Sequence, residues 1–281
     1  MTGPVTSDTR VFALLGDPVS HSFSPVIQNA AIQDLGLDGV YVALKVESPQ
    51  ELAAFLCGLA RAGGGGNITL PHKEKAATVL DAPSSNVRRT GACNTFWLQE
   101  GKIHGDNTDV EGFSRALEAF LGGPPEGHRV LVLGAGGSAR ACLVALMDAG
   151  VEEVHLLNRT RERARAVARR IGGERVRVLD DRMDVAGKAY DLVVNTTRLG
   201  LEPGDRLPLE LDLLERAGAV VDLVYGVGGT PFVDHARERG IRAADGSEML
   251  LHQGAVAFER WWGREPSVEV MRMALRASQG R

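Results

Sequence analysis

The fold of this chain is decided by the stretch Arg129-Val-Leu-Val-Leu-Gly-Ala-Gly-Gly-Ser-Ala-Arg140. An apolar run ends in clustered glycines and passes at once into a helix-forming segment, which predicts a strand, a phosphate-binding loop and a helix. We expect Gly134 to make the tight turn, Gly136 to let backbone N–H groups approach a pyrophosphate, and Ala139 to allow close helix–strand packing. The anion would then lie at the helix N-terminus. An ordinary strand-to-helix turn is the alternative.

The end of the next predicted strand bears on the choice of dinucleotide. A site for NAD usually has an acidic residue about 20 positions further on, which accepts hydrogen bonds from a ribose hydroxyl. Here the strand 154–157 is followed by Asn158-Arg159-Thr160, with Arg163 one helical turn later. Guanidinium groups pair with phosphate and cannot replace a carboxylate, so this pattern predicts NADP rather than NAD. The alternative is that both arginines belong to a solvated basic helix, since more arginines follow.

Composition narrows the class of protein. The 281 residues are too many for one typical domain and suggest two. Hydrophobic residues make up 44% of the chain and charged residues 24%, as in an ordinary soluble globular protein. A net charge of -4 gives no electrostatic argument for nucleic acid or an anionic membrane as a partner. Without an apolar signal region or a membrane-length run, we predict a cytoplasmic protein.

Strands and helices alternate along both halves of the sequence. In the first half, strands are predicted at 11–15, 40–46 and 67–70, with a hairpin at 91–97 and 102–104. This pattern points to a mainly parallel sheet, and a Gly- and Pro-rich linker follows at 122–127. In the second half, strands are predicted at 130–133, 153–157, 176–179, 191–194 and 219–224, with helices at 137–148, 161–170 and 231–239. The second half therefore has doubly wound α/β organisation, and two further helices end the chain.

Two residues of opposite charge stand at predicted helix starts. Pro71 suits the first helical position, which puts Lys73 in the first turn, where the helix dipole disfavours an ammonium. Thr108 and Glu111 have capping-box spacing and start a helix at Asp109, although an acid there also simply complements the dipole. Hydride transfer between an alcohol and a ketone without a metal needs a side chain that exchanges a proton with the reacting oxygen. Lys73 is the best candidate.

Other candidate residues have structural explanations of their own. Ser24 before Pro25 is a helix N-cap signal, whereas Ser22 has no such explanation. Gln253 falls on an apolar helix face, where it needs either a buried hydrogen bond or a ligand. No histidine pair has the spacing of a zinc site and no serine has a nucleophile-elbow frame, so we expect neither a metal nor a serine nucleophile. The three cysteines are widely spaced and indicate small core residues.

Eight motifs in one order resemble those of the shikimate dehydrogenase family. They are Gly16-x-Pro18-x-x-His21-Ser22-x-Ser24-Pro25, Asn67-Ile-Thr69-x-Pro71-x-Lys73, Gly91-Ala-x-Asn94-Thr95, Asn107-Thr-Asp109, Gly134-Ala-Gly-Gly-Ser-Ala139, Asn158-Arg-Thr160, Asp222-Leu-Val-Tyr225 and Gly246-x-x-Met249-Leu250-x-x-Gln253. The resemblance implies NADP-linked interconversion of 3-dehydroshikimate and shikimate, a step of aromatic amino-acid (chorismate) biosynthesis.

The resemblance also implies a domain plan. An N-terminal α/β substrate domain with a mainly parallel sheet (1–110) would be completed by C-terminal helices (246–281). A Rossmann-type doubly wound NADP-binding domain would occupy 124–245, with a connecting helix and linker at 109–123. The active site would lie in the cleft between the domains. The partner would be a small polyol acid and the protein a monomer or a homodimer.

Residue roles follow from the resemblance position by position. Lys73 and Asp109 would be the catalytic pair. Substrate would be bound by Ser22, Ser24, Asn67, Thr69, Asn94, Tyr225 and Gln253. NADP would be bound by Gly134, Ala135, Gly136, Gly137, Ser138, Ala139, Asn158, Arg159, Thr160, Arg163, Thr196, Gly246 and Met249.

Some positions depart from the family pattern, and other functions on the same fold remain as alternatives. Gln28 replaces a common histidine, Thr197-Arg198-Leu199 replaces small residues, Gly226-Val-Gly-Gly229 replaces a segment with proline, and Glu248 replaces a glycine. These changes bear on cofactor affinity and domain closure more than on the type of reaction. A quinate or aminoshikimate dehydrogenase, or a non-catalytic NADP-binding sensor on the same fold, are the alternatives.

Overall fold

The computed structural model describes residues 5–202 and 204–280. The chain divides into two compact units. The first unit comprises the residues up to Gly112 together with those from Leu250 onward, and the second comprises Phe113–Met249. None of the helices in the described part of the chain combines the length and the apolar character needed to cross a bilayer.

The first unit is built on a six-stranded mixed sheet. Its strands are β1 (Arg10–Gly16), β2 (Gly39–Lys45), β3 (Gly65–Ile68), β4 (Ala82–Pro83), β5 (Thr95–Gln99) and β6 (Lys102–Asp106), and they lie in the order β2-β1-β3-β5-β6-β4. The pairs β1–β2, β1–β3 and β4–β6 are parallel, while β5 is antiparallel to β3 and β6. The helices are α1 (Ser24–Asp34), α2 (Pro49–Arg61), α3 (Lys73–Ala76), α4 (Ser85–Thr90) and the start of α5 (Asp109–Leu121).

Local sequence explains most of these elements. Leu52, Leu56 and Ala60 form one buried face of α2, and Ser48 caps this helix by accepting a hydrogen bond from Glu51 N at 3.2 Å. The last two of the four consecutive glycines begin β3. Glycine is needed there because this strand lies very close to the backbone of β1. A Cβ at Gly66 would lie only 2.0 Å from the carbonyl oxygen of Ala13, so no larger residue fits there.

Two predicted helix starts are wrong by one or two residues. Helix α1 begins at Ser24 itself, so Ser24 is not its N-cap, and the Ser22 hydroxyl accepts from Ser24 N at 3.2 Å instead. Helix α3 is a single turn with His72 at the N-cap, so Pro71 precedes the cap. Contacts with distant residues hold this turn in place. His72 Nε2 lies 2.7 Å from Val46 O, and Cys93 N donates to Lys73 O at 2.8 Å.

The second unit contains a fully parallel six-stranded sheet. Its strands are β7 (Arg129–Leu133), β8 (Glu153–Leu157), β9 (Val176–Val178), β10 (Ala189–Asn195), β11 (Arg216–Asp222) and β12 (Arg242–Ala244). The helices are α6 (Gly137–Asp148), α7 (Arg161–Ile171) and α8 (Pro231–Arg237). The strand order is β12-β11-β10-β7-β8-β9, which is the Rossmann order with its switch point between β7 and β10. The predicted fold class is therefore confirmed.

The last two helices, α9 (Ser247–Trp262) and α10 (Val268–Gln279), return to the first unit from Leu250 onward. Trp261 on α9 stacks on Phe12 with ring centroids 5.1 Å apart, and its indole Nε1 donates to Thr95 Oγ1 at 2.9 Å. These contacts join the end of the chain to β1 and β5. The C-terminal helices therefore complete the core of the first unit.

Candidate active site

Lys73 and Asp109 form an ion pair in the first unit. Lys73 is the first residue of α3 and Asp109 the first residue of α5. Lys73 Nζ lies 2.6 Å from Asp109 Oδ2, and the two side chains are only 13% and 6% exposed. A charge removed from water in this way must be paired, and the carboxylate of Asp109 supplies that partner.

Asn94 holds the other side of the Asp109 carboxylate. Its Nδ2 donates to Asp109 Oδ1 at 2.9 Å, to Thr108 Oγ1 at 2.9 Å and to Gln253 Oε1 at 3.3 Å. Its Oδ1 accepts from Thr108 N at 2.8 Å. Both oxygens of Asp109 are therefore engaged, one by an ammonium and one by an amide, so the carboxylate has little freedom to rotate.

Gln253 reaches this network because a glycine lets α9 lie close to α5. Gly112 stands nearly one turn after Asp109, and a Cβ there would lie 2.6 Å from both N and Cβ of Gln253. The Gln253 side chain accepts from Asn94 and donates its Nε2 to Leu250 O at 2.8 Å. Gln253 is therefore hydrogen-bonded and half-buried on this helix face, and its contact with a substrate stays a prediction. Gly112 itself gave no recognisable signal in the sequence.

Asn67 is attached to the same network through the backbone. Its Nδ2 donates to Asn94 O at 3.1 Å, and its Oδ1 accepts from the hydroxyl of Tyr41 at 2.8 Å. Asn67 is 5% exposed. Tyr41 was not identified from the sequence, because an aromatic residue in a strand usually indicates core packing. Here its hydroxyl orients an amide that is predicted to bind substrate.

The turn before Asp109 is braced by buried polar groups. Asn107 is fully buried and donates through Nδ2 to Thr90 Oγ1 and to Ala92 O, both at 3.1 Å. Its backbone N donates to Asp106 Oδ1 at 2.7 Å, and Asp106 also pairs with Arg260 at 3.3 Å. The Asn107-Thr-Asp109 motif is therefore partly a scaffold that presents the aspartate.

Four predicted substrate residues do not belong to the hydrogen-bonded network around Asp109. The hydroxyls of Ser22 and Ser24 are 3.2 Å apart at the start of α1, and Thr69 is half-buried just after β3. Tyr225 lies in the second unit, in the loop after β11. Contact of these four residues with a substrate stays a prediction.

The glycine loop of the second unit has the geometry of a phosphate cradle. Gly134 has φ +110°, and a Cβ there would lie 2.5 Å from Thr196 Oγ1. Gly136 occupies the N-cap of α6 without a side-chain cap, and a Cβ there would meet nothing within 4 Å. The first N–H groups of α6 lack partners within the helix. Ala139 is fully buried, so α6 packs closely on the sheet. The glycines and the free N–H groups together give the loop a shape that fits a pyrophosphate.

The arginines of the basic segment after β8 differ in whether they pair with a carboxylate of the protein. Arg161 and Arg165 approach Asp180 at 3.4 and 3.3 Å. Arg159 is exposed and makes no ion pair with any residue of the described chain, and Arg163 is also exposed. Asn158 Nδ2 donates to Thr160 O at 2.8 Å, which closes the turn before α7. Arg159 is thus available for a phosphate group, whereas Arg161 and Arg165 support the α7–β9 region.

A buried carboxylate joins the ends of β10 and β11. Asp222 accepts from Asn195 Nδ2 at 2.7 Å, from Thr230 Oγ1 at 2.7 Å and from Val224 N at 3.1 Å. Burial raises the pKa of the Asp222 carboxyl to about 6, although these hydrogen bonds oppose the shift. The network anchors the two loops that follow β10 and β11. The second of these loops carries Tyr225.

The remaining predicted cofactor residues lie near this network. Thr196 Oγ1 donates to Leu133 O at 2.7 Å, which ties the loop after β10 to the end of β7. A Cβ at Gly246 would lie 2.3 Å from Leu223 O, and Met249 is only 9% exposed. Gly246 is therefore required for close backbone packing, and its contact with a cofactor stays a prediction.

One departure from the family pattern has a structural explanation. Gln28 is 1% exposed, and its Nε2 donates to Gly254 O at 3.0 Å, which joins α1 to α9 inside the first unit. Its effect is therefore expected on the packing of that unit and not on cofactor affinity.

Three family models match successive parts of the chain. The shikimate dehydrogenase substrate binding domain matches residues 14–96. The shikimate / quinate 5-dehydrogenase model matches residues 120–199, and the shikimate 5'-dehydrogenase C-terminal domain matches residues 246–276.

Relatives match almost the full length. The shikimate dehydrogenase (NADP(+)) of Afipia carboxidovorans is 44% identical over 96% of this chain and 97% of its own. That of Moorella thermoacetica is 44% identical over 98% and 96%. The crystal structure of shikimate 5-dehydrogenase from Thermus thermophilus in complex with NADP(H) and shikimate is similar with a TM-score of 0.83 and 40% identity, over 95% of this chain and 99% of that chain. This chain therefore belongs to the shikimate dehydrogenase family.

Proposed function

We propose that this protein catalyses the reversible, NADP-dependent reduction of 3-dehydroshikimate to shikimate. It is then an oxidoreductase that acts on a CH–OH group, in the pathway to aromatic amino acids. The observation that carries the proposal is the buried pair of Lys73 Nζ and Asp109 Oδ2 at 2.6 Å, whose carboxylate is also bound by Asn94. Relatives of high identity are named as enzymes of this activity.

The proton of the reaction is assigned to Lys73. The chemistry that NADP supplies when bound is transfer of a hydride to or from carbon. In the direction of reduction, Lys73 Nζ gives a proton to the carbonyl oxygen, which becomes the hydroxyl. In the reverse direction the amine takes this proton back. Asp109 positions Nζ through the ion pair, so the proton donor is held in place before the substrate arrives.

Substrate selection is assigned to amides and hydroxyls. Asn67, Asn94 and Gln253 lie in one hydrogen-bonded network with Asp109, and the first two are nearly inaccessible to solvent. A polyol acid fits such a site, because amides and hydroxyls at fixed positions offer both donors and acceptors to its hydroxyl groups, and an analogue that lacks a hydroxyl loses those hydrogen bonds. We assign the substrate carboxylate to Ser22 and Ser24, and further substrate contacts to Thr69 and Tyr225.

NADP is assigned to the second unit. The loop 134–139 and the N-terminus of α6 would hold the pyrophosphate, and Arg159 with its neighbours Asn158, Thr160 and Arg163 would hold the 2′-phosphate. Thr196, Gly246 and Met249 would lie on the nicotinamide side. The open space around Gly136 and the absence of an ion pair at Arg159 among the described residues support this assignment.

The test is a panel of substrates and cofactors on the purified protein. We expect the highest kcat/KM with shikimate and NADP, measured from the absorbance of NADPH. A higher value with quinate or an aminoshikimate would assign the protein to that alternative activity. Preference for NAD would contradict the role of Arg159. Tight NADP binding without turnover of any polyol acid would support a sensor.

A cytoplasmic location and a monomeric or homodimeric state are part of this proposal. Cell fractionation and analytical ultracentrifugation would test them. The expected results are recovery in the cytoplasmic fraction and a mass of one or two chains of 30.0 kDa.

A further inference from the structure

The loop after β10 lies beside the phosphate loop. Strands β7 and β10 are neighbours at the switch point, and Leu133 pairs with Asn195 at their ends. Gly134 and Thr196 therefore begin adjacent loops at the same edge of the sheet. Thr196 N donates to Leu133 O at 2.8 Å. In open α/β sheets of this kind, ligands bind outside the carboxyl ends of the strands at this point.

Two threonines in this loop contact the glycine that starts the phosphate loop. A Cβ on Gly134 would lie 2.5 Å from Thr196 Oγ1 and 3.1 Å from Thr197 Cγ2. Arg198 is the next residue. Its long stem allows the guanidinium to reach groups around the backbone position. An anion held by the phosphate loop would thus lie near Thr196 and Thr197, which directly precede Arg198 in the chain.

The backbone on both sides of Arg198 is held by buried groups. Asn195 Oδ1 accepts from Thr197 N at 3.0 Å and from Thr197 Oγ1 at 2.7 Å. Asn195 Nδ2 donates to Asp222 Oδ1 at 2.7 Å and to Leu199 O at 3.2 Å. The position of Arg198 relative to the glycine loop is therefore set before any ligand binds, which lowers the entropy cost of binding.

Arg198 carries a charge that the described residues do not neutralise by contact. Its side chain is exposed and makes no ion pair with residues 5–202 or 204–280. Two acids, Glu202 and Asp205, lie in the same loop, and neither makes an ion pair with Arg198. Asp205 accepts through Oδ2 from Gly200 N and Glu202 N, both at 3.1 Å. A guanidinium in this state matches a phosphate oxygen pair in geometry and in charge.

We propose that Arg198 is a further cofactor-binding residue and that it pairs with the pyrophosphate of the dinucleotide. The proposal rests on the NADP-dependent function above and divides the recognition of NADP between two arginines. Arg159 binds the 2′-phosphate, which only NADP carries. Arg198 binds the pyrophosphate, which NAD and NADP share.

This division is tested by the dissociation constants of both nucleotides, measured by isothermal titration calorimetry. We expect Arg198→Ala to raise Kd for NADP and for NAD by a similar factor of about ten. Arg159→Ala should raise Kd for NADP alone. Arg198→Lys keeps the charge, so its Kd values for both nucleotides should lie between those of the unaltered protein and those of Arg198→Ala. Arg177→Ala is the control, since it removes an exposed charge (72% exposed side chain) on β9 and should leave both constants unchanged.

The outcomes separate this inference from the proposed function. Unchanged constants in Arg198→Ala, or a rise for NADP alone, would overturn the pyrophosphate role while the unaltered protein still turns over shikimate with NADP. If the unaltered protein binds neither nucleotide, the proposed function fails as well. A thermal unfolding midpoint equal to that of the unaltered protein would show that each exposed substitution leaves the fold intact.

Discussion

The two candidate sites differ in how far their polar groups are already satisfied. In the first unit, the side chains of Lys73, Asn94, Asp109 and Gln253 bind one another and are largely removed from solvent. In the second unit, the glycine loop presents backbone N–H groups, and Arg159 and Arg198 make no ion pairs within the described chain. The first arrangement is held in place by its own contacts, whereas the second provides positive groups for an anion.

This difference has a physical reason. Proton transfer needs a donor atom at a defined position, and a network of mutual hydrogen bonds supplies that order before substrate binds. Binding a phosphate needs uncompensated positive charge and open backbone, so contacts within the protein would compete with the ligand. Substitutions in the two units should therefore affect different quantities: turnover or the KM for shikimate in the first unit, and nucleotide affinity in the second.

The largest effect is expected from Lys73→Ala. Removal of the proton donor should lower kcat by about 10²- to 10⁴-fold. Shikimate binding, measured by calorimetry, should remain detectable because the substitution leaves the proposed contacts of the amides and hydroxyls in place. Lys75→Ala, on the same short helix and exposed, is the control and should keep its activity. Full activity of Lys73→Ala would refute the assigned role.

The second prediction compares substitutions at two glycines of the glycine loop, Gly134 and Gly136. Gly134→Ala introduces strain at φ +110° and a clash 2.5 Å from Thr196 Oγ1, so it should lower both the unfolding midpoint and NADP affinity. Gly136→Ala has open space and should lower NADP affinity alone, by about tenfold or more. Calorimetry and thermal unfolding separate the two effects. Normal NADP binding by Gly136→Ala would argue against the cradle.

A third prediction concerns Gly112. Gly112→Ala would place a methyl group 2.6 Å from the Gln253 backbone and move α9 away from α5. We expect KM for shikimate to rise about tenfold, because Gln253 would no longer reach Asn94. The Kd for NADP should not change. Gly123→Ala, where nothing lies within 4 Å, is the matched control. Equal KM values in the two variants would show that Gln253 does not depend on Gly112.

The smallest effect on activity is expected from Asp222→Asn, which acts on the pH dependence of stability. The pKa of Asp222 is raised from 3.8 to about 6 by burial, so the folded state holds this proton more tightly than the unfolded state. The stability from this group is full below about pH 3.8 and is lost as pH rises through about 6, by up to about 3 kcal/mol. Asp222→Asn has no carboxyl group to ionise, so its stability does not fall for this reason as pH rises.

Urea denaturation at pH 5, 6 and 7 measures this prediction. The stability of Asp222→Asn relative to the unaltered protein should increase across this range. Only the difference between the two proteins is informative, because His155 has the opposite effect. Burial lowers the pKa of His155 below 6.5, so its contribution is lost as pH falls below about 6.5. A constant difference would contradict the raised pKa of Asp222.

Much of the second unit could be predicted from the sequence. The helix predicted at 161–170 is observed as Arg161–Ile171, and the helix at 137–148 has the predicted bounds. Such elements depend on periodicity and on glycines that act within a few residues. The strand β12 (Arg242–Ala244) was not predicted, because three residues at a sheet edge are too few to show a period.

The first unit was less predictable where distant contacts decide the backbone. The turn that carries Lys73 lasts only four residues and is held by Val46 and Cys93, so Pro71 does not start it. Tyr41 and Gly112 support the candidate site and gave no local signal, whereas Asn107 stood out only as part of the Asn107-Thr-Asp109 motif. Their importance depends on partners up to 141 positions away, as for Gly112 and Gln253.

The sequence by itself determined the α/β class, the glycine-rich turn at 134–139 and the absence of an acidic residue at 158–161, directly after β8, because these features are local. It also supplied Lys73 and Asp109 as candidates through separated motifs. Only the tertiary structure decided that Lys73, Asn94, Asp109 and Gln253 meet in one network. Their meeting depends on close packing of α5 and α9, and packing is a property of the folded chain that spacing along the sequence does not encode.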